Sequence, residues 1–172
     1  TGSASLLVDE AMTTDRLIGL IMSKNDPEKP NEYKKDDLHP VGTCAVIMKM
    51  AKTMDNHTQL LLQGVSRFSI EEIIGGKPYQ QARIKIIEEK DVKDLETEAL
   101  MSNLLSLFDR ILKLSPFLPP EFGPMAKSIA EAGTLADLIT SIINAPVEEK
   151  QKVLNIADVK KRLKELTLMV NH

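Results

Sequence analysis

The hydrophobic pattern of this 172-residue chain changes period near Asp94, and that change limits the folds open to it. Before Asp94, short apolar segments alternate with polar residues, as in half-buried β-strands. After it, apolar residues recur every three or four positions, as in amphipathic helices. The sequence therefore predicts an α+β protein. A β-rich lobe, folded as a small pseudo-barrel, covers residues 1–92, and a helical bundle lobe covers residues 93–172.

The β-rich half begins with a short helix that Ser3 or Ser5 could cap. After it come several segments with strand character: Leu17–Met22, Val41–Lys49, Thr58–Gln63, the residues around Phe68 and Ile70, and Tyr79–Glu88. Arg67, Ser69 and Glu71 alternate with the two apolar residues and are expected on a solvated face. Turns are predicted at Asp55-Asn56 and Gly75-Gly76, and residues 23–38 form a long polar loop.

The helical half begins at Asp94 with a long helix. Its apolar stripe consists of Leu100, Leu104, Leu107, Ile111 and Leu114. Three prolines within residues 115–120 end this helix. Three later starts are predicted: a capping box at Thr134–Asp137, a helix beginning after Pro146, and a last helix capped by Asp158.

Composition excludes several classes of function. The formal net charge of -3 has no basic excess in either half, so we expect no nucleic-acid partner. No apolar stretch is long enough to span a bilayer, so we expect no membrane association either. The single cysteine, Cys44, cannot form an intramolecular disulfide and suits a reducing compartment such as the cytoplasm. Because the chain does not begin with Met, we interpret it as a piece cut from a longer protein.

The sequence contains no complete catalytic motif. Gly75-Gly76-Lys77-Pro78 is superficially similar to a phosphate-binding loop, but Glu71 and Pro78 stand where that motif needs Gly and Ser or Thr. His39, His57 and His172 are too scattered for a metal site. Cys44 lies in an apolar strand, which favours an inert buried thiol over a nucleophile. We therefore predict no catalytic, cofactor or metal site, and a binding or assembly domain.

Segments along nearly the whole chain resemble one family, the N-terminal domain of bacterial Lon-type ATP-dependent proteases (protease La). In the β-rich half these are His39–Ile47, Gln63–Ile70 and Pro78–Ile84. In the helical half they are Leu118–Glu121, Leu135–Ile139, Glu148–Gln151 and Arg162-Leu163. No single motif decides the matter, and the resemblance rests on their order and spacing.

The resemblance implies a module that captures unfolded or damaged proteins and supports a hexamer with other Lon subunits. ATP, Mg²⁺ and a Ser–Lys protease site would belong to other domains of the parent protein. The family usually opens with a strand before the first helix, and this chain begins after that point. A neighbouring strand would then present an unpaired edge. Ala132-Gly133-Thr134 also replaces an acidic turn of the family.

Methionines supply the candidate substrate-contact residues. The chain has eight methionines against 3% aromatic residues, and flexible thioethers adapt to varied partners. We select Met48, Met50 and Met54 near one strand end, with Phe117 and Leu118 in the proline-rich linker. The alternative is that these residues fill the core. An alternative function is a stand-alone Lon-domain protein, or an adaptor resembling cereblon's Lon-like region, that binds a protein or a small ligand.

Overall fold

The computed structural model describes residues 2–25, 32–55, 57–75 and 78–171. The chain divides into two compact units, Thr1–Glu88 and Glu89–His172. Parts of the predicted turns, at Asn56 and Gly76, lie outside the described residues, as do residues 26–31 of the polar loop. Among the described residues no helix is both long and apolar enough to cross a membrane.

The first unit consists of a helix and an antiparallel sheet of four strands in the order β1-β2-β3-β4. The elements are α1 Gly2–Thr13, β1 Leu17–Leu20, a 3-10 turn at Lys35–Asp37, β2 Gly42–Lys52, β3 Thr58–Ile74 and β4 Gln81–Ile87. In the described part of the chain β1 and β4 do not pair, so the predicted pseudo-barrel is an open sheet here.

Strand β3 differs most from the sequence prediction. It continues for 17 residues through Gly64, where the pattern had indicated a break. A β-bulge accommodates the irregularity, because Ala45 pairs with Gly64 while Cys44 pairs with Ser66, leaving Val65 as the extra residue. The solvated-face prediction is also wrong at Arg67, which is only 8% exposed.

The core of the first unit is small and centres on Phe68, packed with Leu38 and Ile70. Gly42 is necessary for this packing. A Cβ added there would lie 2.5 Å from both the Leu20 carbonyl oxygen and the Phe68 ring. The strand can therefore approach the aromatic ring only where it has no side chain.

Five helices form the second unit: α2 Leu95–Leu114, α3 Phe122–Lys127, α4 Ala132–Ile142, α5 Val147–Leu154 and α6 Val159–Val170. The main core of this unit is built from α2, α3, α4 and α6 and contains Leu104, Phe108, Leu135, Ile139, Leu163 and Leu166. Of the predicted apolar stripe of α2, Leu104 lies in this core, and Leu100 and Ile111 pack against it. Leu107 is partly buried outside this cluster, and Leu114 is 81% exposed.

Two predicted helix starts are correct: Asp158 caps α6 by accepting from the Lys161 backbone N–H, and α5 begins directly after Pro146. The predicted caps Ser3 and Ser5 are wrong, because α1 already begins at Gly2. Helix α2 is capped by Asp94, whose side chain accepts a hydrogen bond from the Thr97 backbone N–H. The predicted capping box at Thr134 is wrong, because α4 already begins at Ala132 after Glu131. The Thr134 hydroxyl instead donates to the Glu131 carboxylate at 3.0 Å. The α+β class itself is confirmed, with an antiparallel sheet followed by helices.

Candidate functional site

The β2–β3 hairpin extends beyond the rest of the sheet as a two-stranded arm, defined here as residues 48–62. Strand β1 pairs with only 43–46 of β2, and the pairing of β4 with β3 begins at Arg67. Within the described residues of the arm, each strand therefore pairs only with the other. Two unsupported strands expose both faces to solvent, which suits contact with a partner.

The arm carries all three predicted methionines. Met48, Met50 and Met54 are 53%, 36% and 106% exposed, and Leu61 adds a fourth exposed apolar side chain at 57%. Met48 is a bulge residue between the pairs Ile47–Leu62 and Lys49–Leu61, and Met50 lies opposite Leu60. The core-filling alternative is therefore wrong for these three residues. They form an exposed surface of adaptable side chains.

Positive charge borders this apolar surface. Lys49 lies opposite Leu61 and Lys52 opposite Thr58 on adjacent strands, and both lysines are exposed. Asp55, near the tip, is the one acidic side chain among the described residues of the arm. The local balance is thus basic, although the whole chain is slightly acidic.

Phe117 and Leu118 belong to the second unit, in the segment between α2 and α3. Phe117 is 95% exposed, and Leu118 is partly buried with its N–H bonded to the Ser115 carbonyl at 3.0 Å. At this exposure Phe117 does not fill the core, so that alternative is wrong for this residue. They lie in a different unit from the arm and are therefore a separate candidate surface.

Sequence reasoning missed an open groove in the first unit. It has a volume of about 890 Å³ and lies between α1 and the outer strands β1 and β4. Its exposed apolar lining includes Leu17, Leu20, Ile84 and Ile86, and Glu10 and Asp15 are the charged residues among the described lining. The alternation of Ala82, Ile84 and Ile86 indicated an apolar face on this strand. The sequence alone could not show that this face is left uncovered by the described residues.

Two polar contacts just before β4 hold the lining of this groove together. The Tyr79 hydroxyl donates to the Glu10 carboxylate and so links the start of β4 to α1. Gln80 pairs with the backbone of Tyr33 in both directions: its oxygen accepts from the Tyr33 N–H at 2.9 Å, and its amide donates to the Tyr33 carbonyl at 2.9 Å. The loop before β2 is thereby held against the start of β4.

The basic residues of α6 are mainly engaged in structural contacts. The Lys160 ammonium lies 2.5 Å from Asp94 and 3.1 Å from Glu96, and Lys164 lies 2.7 Å from Glu96. Hydrogen bonds from Lys160, from the Thr97 backbone N–H and from the Thr97 hydroxyl lower the pKa of Asp94 to about 2. The same pairing raises the pKa of Lys160. This helix face therefore stabilises the contact between α2 and α6.

No catalytic arrangement emerges from the part of the chain that the structure describes. No three His, Cys, Asp or Glu side chains there are grouped so as to hold a metal ion. The Cys44 thiol is partly buried in β2, beside the small Phe68 core. The exposed apolar features of the described residues are a methionine-bearing arm, an open groove and the Phe117 ring.

Comparison with known proteins gives consistent results along the whole chain. The family described as the ATP-dependent protease La (LON) substrate-binding domain matches residues 3–172. A Lon protease of Syntrophus aciditrophicus is 54% identical over 168 residues, which cover 96% of this chain and 21% of that protein. A Lon protease of Desulfosudis oleivorans is 44% identical over 166 residues, again 96% of this chain and 20% of that protein. The chain thus spans about a fifth of the length of these relatives.

Solved structures share the fold at low sequence identity. The N-terminal domain of a Mycobacterium avium complex Lon protease superposes with a TM-score of 0.78 and 17% identity, covering 99% of this chain and 86% of that one. A Lon N-terminal domain protein from Xanthomonas campestris superposes with a TM-score of 0.63 and 14% identity, covering 95% of this chain and 82% of that one.

Proposed function

Because the chain belongs to the LON substrate-binding domain family of ATP-dependent protease La, we propose that it binds unfolded or damaged polypeptides through the methionine-bearing arm. The single observation that carries this proposal is the placement of Met48, Met50 and Met54 together on an exposed hairpin. A surface that accepts many sequences needs apolar side chains that can change shape, and methionine meets that need better than branched or aromatic residues.

Phe117 and Leu118 form a second proposed contact on the helical unit. An aromatic ring that is 95% exposed gains contact area only when a partner covers it. Two separate surfaces on one chain would bind a long unfolded segment more tightly than either would alone, because the second contact is intramolecular.

The activity of the parent protein follows as part of the proposal. The domain would deliver polypeptides to an ATPase domain that uses Mg²⁺ and to a Ser–Lys protease domain, in a cytoplasmic hexamer. The length of the relatives supports this reading over a stand-alone adaptor, since about four-fifths of each lies outside the matched region.

The groove supports a further element of the proposal, the additional family strand expected from the resemblance. Ser3 and Ala4 at the start of α1 line the groove together with the outer strands β1 and β4. A segment that enters α1 therefore passes the groove, where its side chains would cover Ile84 and Ile86. Hydrogen exchange of β4 in a longer natural chain should be slower than in these 172 residues. Equal exchange rates would exclude this arrangement.

Binding of an unfolded protein tests the proposed function directly. A fluorescently labelled protein that cannot fold is titrated against the domain. We expect saturable binding with a dissociation constant in the micromolar range or weaker, because a small patch supplies limited apolar area. Absence of saturation at high micromolar concentration would refute the function.

A further inference from the structure

The β3 side of the arm is an unprotected strand edge. Residues 58–66 pair with β2 on one side, while on the other side the pairing of β4 starts only at Arg67. In the described structure, then, these nine residues have no strand on the outer side. At about 3.4 Å per residue the edge is roughly 30 Å long, enough for a complete added strand.

The composition of this edge is unusual for a soluble protein. Its sequence, Thr-Gln-Leu-Leu-Leu-Gln-Gly-Val-Ser, contains neither a charged residue nor a proline. Natural edge strands normally carry lysine or proline, or are short, because an open edge recruits other chains. The opposite edge of the arm follows that rule, since Lys49 and Lys52 lie on β2. The lack of charged residues and of proline is thus confined to the β3 edge.

We propose that the free edge of residues 58–66 binds an extended segment of unfolded polypeptide by β-strand addition. This inference rests on the proposed function and identifies the form in which the substrate is held. The added strand continues the line of β4 along β3. Its backbone hydrogen bonds do not depend on sequence, which suits a domain that must accept many substrates. Apolar side chains of the segment contact Leu61 and Val65, which are 57% and 56% exposed.

The charges on the arm indicate which segments bind best. Lys49 and Lys52 lie on β2, the strand next to β3, opposite Leu61 and Thr58. An added strand would be two strand spacings from them, about 9.6 Å, within joint reach of lysine and glutamate side chains. Apolar segments with acidic flanks are therefore preferred over segments with basic flanks.

A second copy of this chain fits the edge less well. Stable protein interfaces bury about 800 Å² on each partner. Leu61 and Val65 are the large apolar side chains of the edge that are strongly exposed, and both copies would bring the same lysines to the contact. An unfolded segment has no such fixed charge pattern and can supply the complement.

The test uses a labelled peptide of alternating valine and threonine with glutamates at one end. Its matched control has the same side chains but N-methyl groups on consecutive amides, so that neither edge of the peptide can form the full set of strand hydrogen bonds. We expect the methylated peptide to bind at least about tenfold more weakly, and a lysine-flanked peptide about threefold more weakly. Equal binding of the methylated peptide would overturn strand addition.

Protein variants locate the binding site. Leu61→Lys combined with Val65→Lys adds the missing edge protection and should weaken peptide binding at least about fivefold. Leu168→Lys is the control, because Leu168 is similarly exposed at 59% but lies in the other unit. Circular dichroism verifies that all variants are folded. Unchanged binding by the double variant would overturn the assignment to this edge.

Four further outcomes separate the alternatives. If the unfolded protein binds but the double variant binds it equally well, the edge proposal fails and the function stands. If neither peptide nor unfolded protein binds, the proposed function fails as well. If the protein formed dimers that dissociate when peptide is added, the edge would be occupied by a second copy of the chain. If a longer natural chain no longer bound the peptide, the edge would be covered by that chain's own residues. Both of these results overturn the proposal.

Discussion

The guanidinium of Arg162 lies 2.6 Å from the Glu89 carboxylate, and the arginine side chain is completely buried. Its remaining donors reach the carbonyls of Ile156 and Ala157 at 2.9 and 3.3 Å, and Asp137 lies 3.5 Å away. One side chain on α6 thereby joins the first residue of the helical unit to α4 and to the α5–α6 loop. A buried charge of this kind is tolerated because its donors are paired.

Glu89→Gln should destabilise the helical unit. The substitution leaves the buried guanidinium without its closest charge, and we expect the free energy of unfolding to fall by about 1.5–3 kcal/mol. Urea unfolding followed by circular dichroism at the helix band measures it. The adjacent exposed Glu88→Gln serves as the control and should stay within about 0.5 kcal/mol. Equal effects of the two substitutions would show that the ion pair is unimportant.

Gly133→Ala should have a related effect for a steric reason. A Cβ at Gly133 would lie 1.7 Å from the Glu89 carboxylate oxygen, so this carboxylate must leave Arg162. We expect a loss of about 1–3 kcal/mol, and a smaller additional loss when Glu89→Gln is already present. Gly123→Ala is the control, because its nearest atoms lie at 3.4 and 3.5 Å. The better helix propensity of alanine should make that variant as stable as the parent, or more stable by up to about 1 kcal/mol. Full additivity of the Gly133 and Glu89 substitutions would contradict the steric mechanism.

Asp94 should make the stability of the helical unit sensitive to acid. Its pKa is lowered to about 2 by hydrogen bonds from Lys160 and the Thr97 backbone N–H. A pKa that is lower in the folded state stabilises the fold above the unfolded value of about 3.9, and this contribution is lost as pH falls towards 2. Asp94→Asn keeps a cap acceptor but removes the charge. The stability difference between the parent and this variant should therefore shrink between about pH 5 and pH 2. A constant difference over that range would contradict the ion-pair explanation.

Gln80→Glu should loosen the loop before β2. The carboxylate can still accept from the Tyr33 N–H, but it cannot donate to the Tyr33 carbonyl. We expect amide hydrogen exchange around residues 33–38 to accelerate about fivefold, as the loss of one hydrogen bond predicts. Gln81→Glu, one position later, should leave the exchange there unchanged. If amide exchange accelerated similarly in both variants, the cause would be the added negative charge and not the lost hydrogen bond to the Tyr33 carbonyl.

Local periodicity and capping residues were sufficient to predict the α+β class and two helix starts. The change of period near Asp94 identified the helical part, and helices begin after Pro146 and Asp158 as predicted. The methionines at one strand end were also found from sequence, and the structure adds that they lie on a two-stranded arm.

Features that depend on distant partners could not be predicted. Arg162 lies among Lys160, Lys161 and Lys164 in the sequence, and no local pattern shows that it is buried, because its partner Glu89 lies far away along the chain. The continuity of β3 through Gly64 depends on a bulge against β2, which a single strand's pattern cannot reveal. The open groove likewise could not be predicted, because no local pattern shows whether another segment covers Ile84 and Ile86.

The central claim, that the arm binds unfolded polypeptide, is tested most directly by one comparison. Met48→Gln, Met50→Gln and Met54→Gln together keep the side-chain length of the arm but remove its apolar character. The control triple is Leu95→Gln, Val147→Gln and Leu168→Gln, at sites 83%, 60% and 59% exposed in the other unit. Affinity for a labelled unfolded protein should fall about tenfold or more in the arm variant and remain unchanged in the control. An arm variant that binds as tightly as the parent would contradict the claim.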